Sequence, residues 1–472
     1  MRYLFFFLIL SLSPLINVYG QMDGKTIPKT LRELQQQFIE LKFGMFIHFN
    51  MGTYMDNDWA DPNAPLDLFN PSKLDCAQWA RVAKSAKMRY GCLTTKHHNG
   101  FCLWNTKTTE YKSVNAPLGR DVVREYVDAF RKEGLKVLLY YSVLDMHHQL
   151  RPGLITKEDI EMVKTQLTEL FTDYGEITAI IIDGWDAPWS RISYEDIPFN
   201  EIYSLIKRLQ PNCLVMDLNA AKYPADMLFY TDIKSYEQNA GQHISKETNR
   251  LPALSCLPIN ASWFWKSTFP ESPVKDCRYI LDENVDPMNR IGCNFILNVA
   301  PNRDGLIDDN VMKILAEIGR IWNDIAVEVP MLNDYDKPII YPNLAKHRPC
   351  FSSWSDDMWI MDFANDDDFQ TAWCSNPSVE HPWYIVDFEK ATSFNAIVIS
   401  DLRHTFQDYA LYYEKDGEWL PIPIIPNDKA IKVHRFERVY GNKVKIEINK
   451  GEVSPSIMEI GVYNEIDPLN LN

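Results

Sequence analysis

The sequence predicts an α/β protein: a (β/α)8 barrel followed by a C-terminal β-sandwich. Three observations lead there. Over about 300 residues, short apolar runs alternate with amphipathic helical stretches, the order that builds a parallel barrel. The apolar runs number eight. Past about Pro342 the helical periodicity stops and short alternating runs take over, the texture of an antiparallel sandwich.

Each element has its own signal. The chain opens Met-Arg-Tyr, and Leu4 to Leu10 is wholly apolar, continuing past Leu12 to the small residue Gly20 before polar Gln21. That pattern predicts a signal peptide over residues 1–20. Ser11, Ser13 and Pro14 interrupt the run, which makes it too short for a membrane span, and no Cys follows it as a lipid attachment site. A secreted or periplasmic chain with no membrane span is expected. The strand candidates are Phe43–Phe49, Tyr90–Thr95, Lys136–Val143, Ala179–Asp183, Cys213–Leu218, Met227–Ile233, Leu254–Ile259 and Cys293–Val299. Among the helices between them, Asp121–Gly134 ends on a glycine. Thr156–Tyr174 repeats Ile160, Val163, Leu167 and Leu170 at helical spacing. The barrel is expected over 21–335, a linker at Asn333–Pro342, and the sandwich over 343–466. Its runs include Trp383–Phe388, Ala396–Ser400, Tyr409–Tyr413 and Val444–Ile448.

Composition narrows the function. A net charge of −16 leaves too few cations to neutralise a phosphate backbone, so nucleic acid is excluded as the expected partner. Aromatic residues make up 12% of the chain and include 13 Trp, enough to serve both a large core and rings that stack on sugars. The nine Cys show no CxxC or metal-type spacing; buried thiols are expected, with a disulfide framework as the alternative. In a (β/α)8 barrel the chemistry sits at the C-terminal strand ends, a rule that selects His48, His97, His98, Asp145, Asp183 and Glu237.

Motifs then bring a resemblance. Phe43–Phe49 (FGMFIHF), Leu93–Trp104 (LTTKHHNGFCLW), Leu139–Ser142 (LYYS), Ile181–Gly184 (IIDG) and Asn294–Pro301 (NFILNVAP), followed by Asp304-Gly305, run in order along the barrel. Together they resemble glycoside hydrolase family 29, the α-L-fucosidases. The resemblance implies a retaining exo-glycosidase that releases terminal α-L-fucose from oligosaccharides or glycoconjugates, with no cofactor in the chemical step. It places the nucleophile on Asp183 and sugar-hydroxyl contacts on His48, His97 and His98. Trp59, Trp104, Tyr141, Trp263 and Trp265 are expected to wall the site. Adjacent strand residues point to opposite faces, so His97 and His98 are not expected to chelate a metal together.

Retention requires a second carboxyl group, roughly 5 to 5.5 Å from the first. Many relatives carry it just before an aromatic cluster, where this chain has Leu254, which cannot transfer a proton. In another branch it follows strand six, and strict alignment there falls on Asn239. Glu237, two residues away, is the expected acid/base, with Glu247 in reserve. Asn99 replaces the family's usual Asp and Phe49 its usual Trp. These departures keep open another glycone, such as a β-galactoside, or a sugar-binding protein of weak activity.

Asp366–Trp373 (DDDFQTAW), Trp383–Phe388 (WYIVDF) and Ile457–Tyr463 (IMEIGVY) resemble the discoidin, or coagulation factor type C, sandwich. Such domains often hold a structural calcium, which the resemblance would place at Asp366, Asp368, Thr371 and Glu459.

Overall fold

A computed structural model describes residues 28–332, 335–451 and 454–466. The expected signal peptide and part of the expected linker lie outside the described residues. Eight parallel strands form the first sheet: β1 (Phe43–Ile47), β2 (Tyr90–Lys96), β3 (Lys136–Ser142), β4 (Ala179–Asp183), β5 (Leu214–Asp217), β6 (Lys234–Glu237), β7 (Ala253–Pro258) and β8 (Cys293–Asn298). Their order, β5-β4-β3-β2-β1-β8-β7-β6, nearly closes a ring, with β8 returning beside β1. Burial on both faces explains why the strands read as continuous apolar runs: every residue of β4, AIIID, is buried.

Helices cover the outside. Asp121 caps Val122–Lys132, and Thr156 caps Lys157–Thr172 in a capping box with Asp159. Each cap satisfies backbone N–H groups that the first helical turn leaves unpaired.

The sixth strand departs from expectation. Met227–Ile233 is not a strand of the barrel; β6 begins one residue after that run. The run is apolar for another reason. Phe229 and Tyr230 pack towards the second domain, with Phe229 bridged to Ile339 and in ring contact with Phe369.

That second domain is an antiparallel sandwich. Its larger sheet runs β13 (Glu418–Ile422), β12 (Phe406–Lys415), β14 (Ile431–Gly451), β11 (Trp383–Ser400), β16 (Glu459–Tyr463), with β9 (Cys350–Ser352) on β11. A small sheet pairs β10 (Trp373–Cys374) with β15 (Ser456–Ile457). Two of the expected short runs, Trp383–Phe388 and Ala396–Ser400, are the ends of one strand, β11, whose ladder to β14 shifts register at 387–392 and 394–396. Trp373, Tyr384, Phe394 and Ile446 centre its own core, while Ala396, Val398, Ile431 and Tyr463 join the core of the barrel. The two domains therefore share an apolar interface. All nine Cys are buried and free, so the thiols serve as small core side chains.

Beneath the C-terminal rim of the barrel lies a buried ion pair. Lys96 Nζ donates to Asp145 Oδ2 at 3.1 Å and to Tyr141 Oη at 2.9 Å, with both ion-pair side chains fully inaccessible. Burial opposes ionisation of Asp145; Lys96 and His148 override it and hold the carboxyl well below its usual range. Asp145, selected by the strand-end rule, is thus part of the scaffold. Gly100, at φ +89°, passes so close that a Cβ there would stand 2.3 Å from Asp145 Oδ1. Asp145→Asn should cost about 3–5 kcal/mol of stability, because it strands a buried ammonium. The urea-denaturation midpoint of the full chain measures that loss.

Candidate active site

The strand ends converge on a cavity of about 290 Å³ lined by Phe46, His48, Asp58, Trp59, His97, His98, Asp183, Trp189, Leu218, Glu237, Asn239 and Trp263. Asp183 closes β4. Its Oδ2 accepts the Tyr140 hydroxyl at 2.6 Å; its Oδ1 accepts the Gly184 N–H at 2.7 Å and the Asn219 amide at 2.9 Å. These donors come from β3, the turn after β4 and the segment after β5, so three parts of the barrel hold the carboxylate. Gly184 must be glycine: φ is +98°, and a Cβ would meet Leu144 N at 2.9 Å.

Glu237 ends β6. Burial, the charge of Asp183 and that of Asp58 push its carboxyl up to about 7, against a hydrogen bond from Trp263 that lowers it. Of the three carboxyl groups that line the cavity, Asp183 and Glu237 thus sit in different environments, the arrangement that divides acid from base. Asp58 is itself fastened to the loop after β7, accepting from the Ser262 hydroxyl at 2.6 Å and the Phe264 N–H at 3.1 Å.

The three histidines are neutral. Burial lowers His48 to about 4, sends His97 well below its ordinary value and lowers His98. His98 Nε2 stands 3.6 Å from Asp183 Oδ2, an ion–dipole contact because the ring is uncharged. The Nδ1 atoms are engaged from behind, that of His48 with Asn298 Oδ1 at 2.7 Å and that of His98 with Ser142 Oγ at 2.8 Å. The expected opposition of His97 and His98 does not occur. The strand ends at Lys96, its pairing with β3 shifts between Thr94 and Lys96, and both rings turn into the cavity with centroids 4.0 Å apart. Trp59 stacks on His98 at 4.9 Å and meets Trp189 edge-on at 5.1 Å, forming an aromatic rim with each indole 43% exposed.

Three expected wall residues lie elsewhere. Tyr141 points outward to Gln166 and Lys96, while its neighbour Tyr140 points inward to Asp183, the consequence of side-chain alternation along a strand. Trp104 is buried, its indole N–H donating to Glu169 at 2.9 Å. Trp265 does not line the cavity; its indole N–H donates to Asp308 at 2.7 Å. Glu247, the reserve acid, borders a separate surface depression with Lys246 and Arg250. Sequence reading missed Phe46, Asp58, Tyr140, Trp189, Leu218 and Asn219. Strict alternation counted back from Asp183's neighbour strand would have found Tyr140; Asp58, Trp189 and Asn219 sit in loops that carry no pattern.

A parallel barrel whose rim joins a restrained Asp, a Glu of raised pKa and neutral imidazoles in a sugar-sized cavity is the framework of a glycoside hydrolase. The chain belongs to the α-L-fucosidase family, whose model matches residues 20–326; the F5/8 type C domain matches 350–460. Alpha-L-fucosidase 1 of Arabidopsis thaliana is 28% identical over 98% of this chain and 93% of its own length. Tissue alpha-L-fucosidase of Homo sapiens is 26% identical over 62% of this chain and 68% of its own length. Among solved structures, a glycoside hydrolase 29 family member from an unknown rumen bacterium matches with a TM-score of 0.52 and 25% identity, covering 92% of this chain and 77% of that one.

With the Glu237 carboxyl pushed up to about 7, any step needing its proton should slow as pH rises through about 7. Trp263→Phe removes a donor that favours the ionised form and should move that alkaline limb to higher pH, read from kcat/KM across pH 5 to 9.

Proposed function

We propose that this chain is a retaining exo-α-L-fucosidase in which Asp183 is the nucleophile and Glu237 the acid/base. The observation that carries the reading is the pair of unlike carboxyl groups facing one cavity: Asp183 restrained by three donors, and Glu237 raised to about 7. At about 290 Å³ the cavity lies at the small end of ligand sites, roughly 300–1,000 Å³, and suits one terminal sugar ring. Neutral His48, His97 and His98 suit its hydroxyls, because a neutral imidazole donates at one nitrogen and accepts at the other. Phe46, Leu218 and Trp263 offer apolar surface to the methyl group of a 6-deoxy sugar.

In the first step Asp183 attacks the anomeric carbon while Glu237 protonates the departing oxygen, giving a glycosyl ester with inversion. Esterification removes the charge that helped hold Glu237 protonated, so its pKa falls and the same group becomes the base. Glu237 then takes a proton from water as that water attacks, and the second inversion restores the original anomeric configuration.

Asp183→Ala should reduce hydrolysis of 4-nitrophenyl α-L-fucoside by roughly 10³-fold or more. Glu237→Ala should reduce hydrolysis of fucosyl oligosaccharides about 10²–10⁴-fold and spare aryl fucosides with good leaving groups far better. Cleavage of β-D-galactosides by a wild type inert to fucosides would overturn the assignment.

The apolar leader supports a secreted or periplasmic location, and among the described residues no helix is long and apolar enough to cross a membrane. For the second domain we propose a structural calcium. Among the described residues no three carboxylate, His or Cys side chains gather closely enough to hold a metal by themselves, so the site would draw on hydroxyl and carbonyl oxygens as well, donors that a hard cation accepts. Asp366 and Thr371 meet at 3.0 Å, and Glu459 is a buried carboxyl whose pKa burial, Asp367 and Asp366 all raise, so its ionisation calls for a positive partner. Asp368 would take part through its carbonyl, 2.9 Å from the Thr371 hydroxyl, because its carboxylate turns to the Gln370 N–H. Calcium bound there would cross-link the turn to β16. Chelation should lower Tm by roughly 5 °C, and Glu459→Gln should remove that calcium dependence in differential scanning calorimetry.

A further inference from the structure

The segment after β5 joins the cavity to the second domain within six residues. Leu218 lines the cavity, Asn219 donates to Asp183 Oδ1 at 2.9 Å, Lys222 ends a short helical turn, and Tyr223 follows it. Lys222 faces two carboxylates from different places. One is Asp186, three residues past Asp183 in the loop that bears Trp189; the other is Asp367 of the sandwich, at 3.7 Å. The Tyr223 ring meets Phe369 of the sandwich edge-on at 5.6 Å, and Phe369 packs against the core of the barrel.

The turn that supplies Asp367 and Phe369 is anchored in its own domain. The Asp367 N–H donates to the Glu459 carboxylate at 3.2 Å, and the Asp367 carboxylate accepts from Lys346 at 2.9 Å. Asp367 also sits at φ +65°, a left-handed conformation that persists where surrounding contacts impose it. On the other side, Asn219 is braced by its own N–H to Asp217 Oδ1 at 3.0 Å, but the next three residues form only a single short helical turn. The barrel holds that turn from one side, Lys234 Nζ donating to the Tyr223 carbonyl at 2.8 Å and Asp186 pairing with Lys222, and the sandwich holds it from the other through Asp367 and Phe369.

We propose that the 366–369 turn of the C-terminal domain positions the nucleophile: Asp367 acting on Lys222 and Phe369 on Tyr223 hold the segment whose Asn219 orients Asp183. Asp367 and Phe369 are positioning residues, remote from the reacting atoms. The inference rests on the reading of Asp183 as nucleophile. A carboxylate that loses one of its three donors can rotate away from the line of attack, and such misplacement slows reaction while leaving the imidazoles after β1 and β2 in place.

The test uses the full chain with 4-nitrophenyl α-L-fucoside, counting active sites by covalent trapping with a 2-fluoro-fucosyl fluoride. Phe369→Ala should lower kcat per trapped site roughly ten- to a hundredfold with KM within about twofold, and Phe369→Leu should recover most of the loss. Asp367→Asn, a small change at a half-buried position, provides an independent variant and should also lower kcat. Combined with Asn219→Ala, Phe369→Ala should add little, because both act on the same carboxylate. Wild-type kcat in Phe369→Ala and Asp367→Asn, or fully additive losses with Asn219→Ala, would overturn the proposal, whatever the change in Tm. Those results alongside an inactive Asp183→Ala would refute the brace alone; an active Asp183→Ala would refute the nucleophile itself.

Discussion

A carboxylate buried to 5% exposure at the mouth of an apolar barrel must be surrounded by donors, and the placing of Asp183 organises much of what lies around it. Tyr140 from β3, the Gly184 N–H and Asn219 from beyond β5 supply those donors. Each demand propagates. The inward hydroxyl of Tyr140 turns Tyr141 outward to Lys96; the close backbone turn after β4 requires glycine at 184; and Asn219 requires an ordered segment after β5.

The same charge acts on a second carboxyl group of the cavity. Repulsion from Asp183 adds to burial in keeping Glu237 protonated near neutrality, while burial keeps all three histidines neutral. The cavity therefore brings together a carboxylate held by three donors, a carboxyl group of raised pKa, the carboxylate of Asp58 and three neutral imidazoles.

The domain interface belongs to this scheme. Parallel barrels carry chemistry on C-terminal loops, the least supported part of the fold. Here the sandwich contacts the segment after β5 through an ion pair and an aromatic contact. The apolar run Met227–Ile233 reflects the same interface, which is why periodicity alone misassigned it as a barrel strand.

Much of the fold was legible because its causes are local. Continuous apolar β-branched runs are what a strand buried on both faces requires, and caps such as Asp121 and Thr156 mark helix starts wherever the chain goes. Asp183 was legible for the same reason, an acid ending the run Ile180–Ile182. Tyr140 against Tyr141, the common facing of His97 and His98, and the roles of Asp58, Trp189 and Asn219 were not. A one-residue change of register reverses a side chain, and loops from distant strands meet only when the ring closes. Sequence pattern was enough for the barrel, the sandwich and the acid that ends β4; which neighbours face the cavity was settled only in three dimensions, because that choice rests on contacts between residues far apart in the chain.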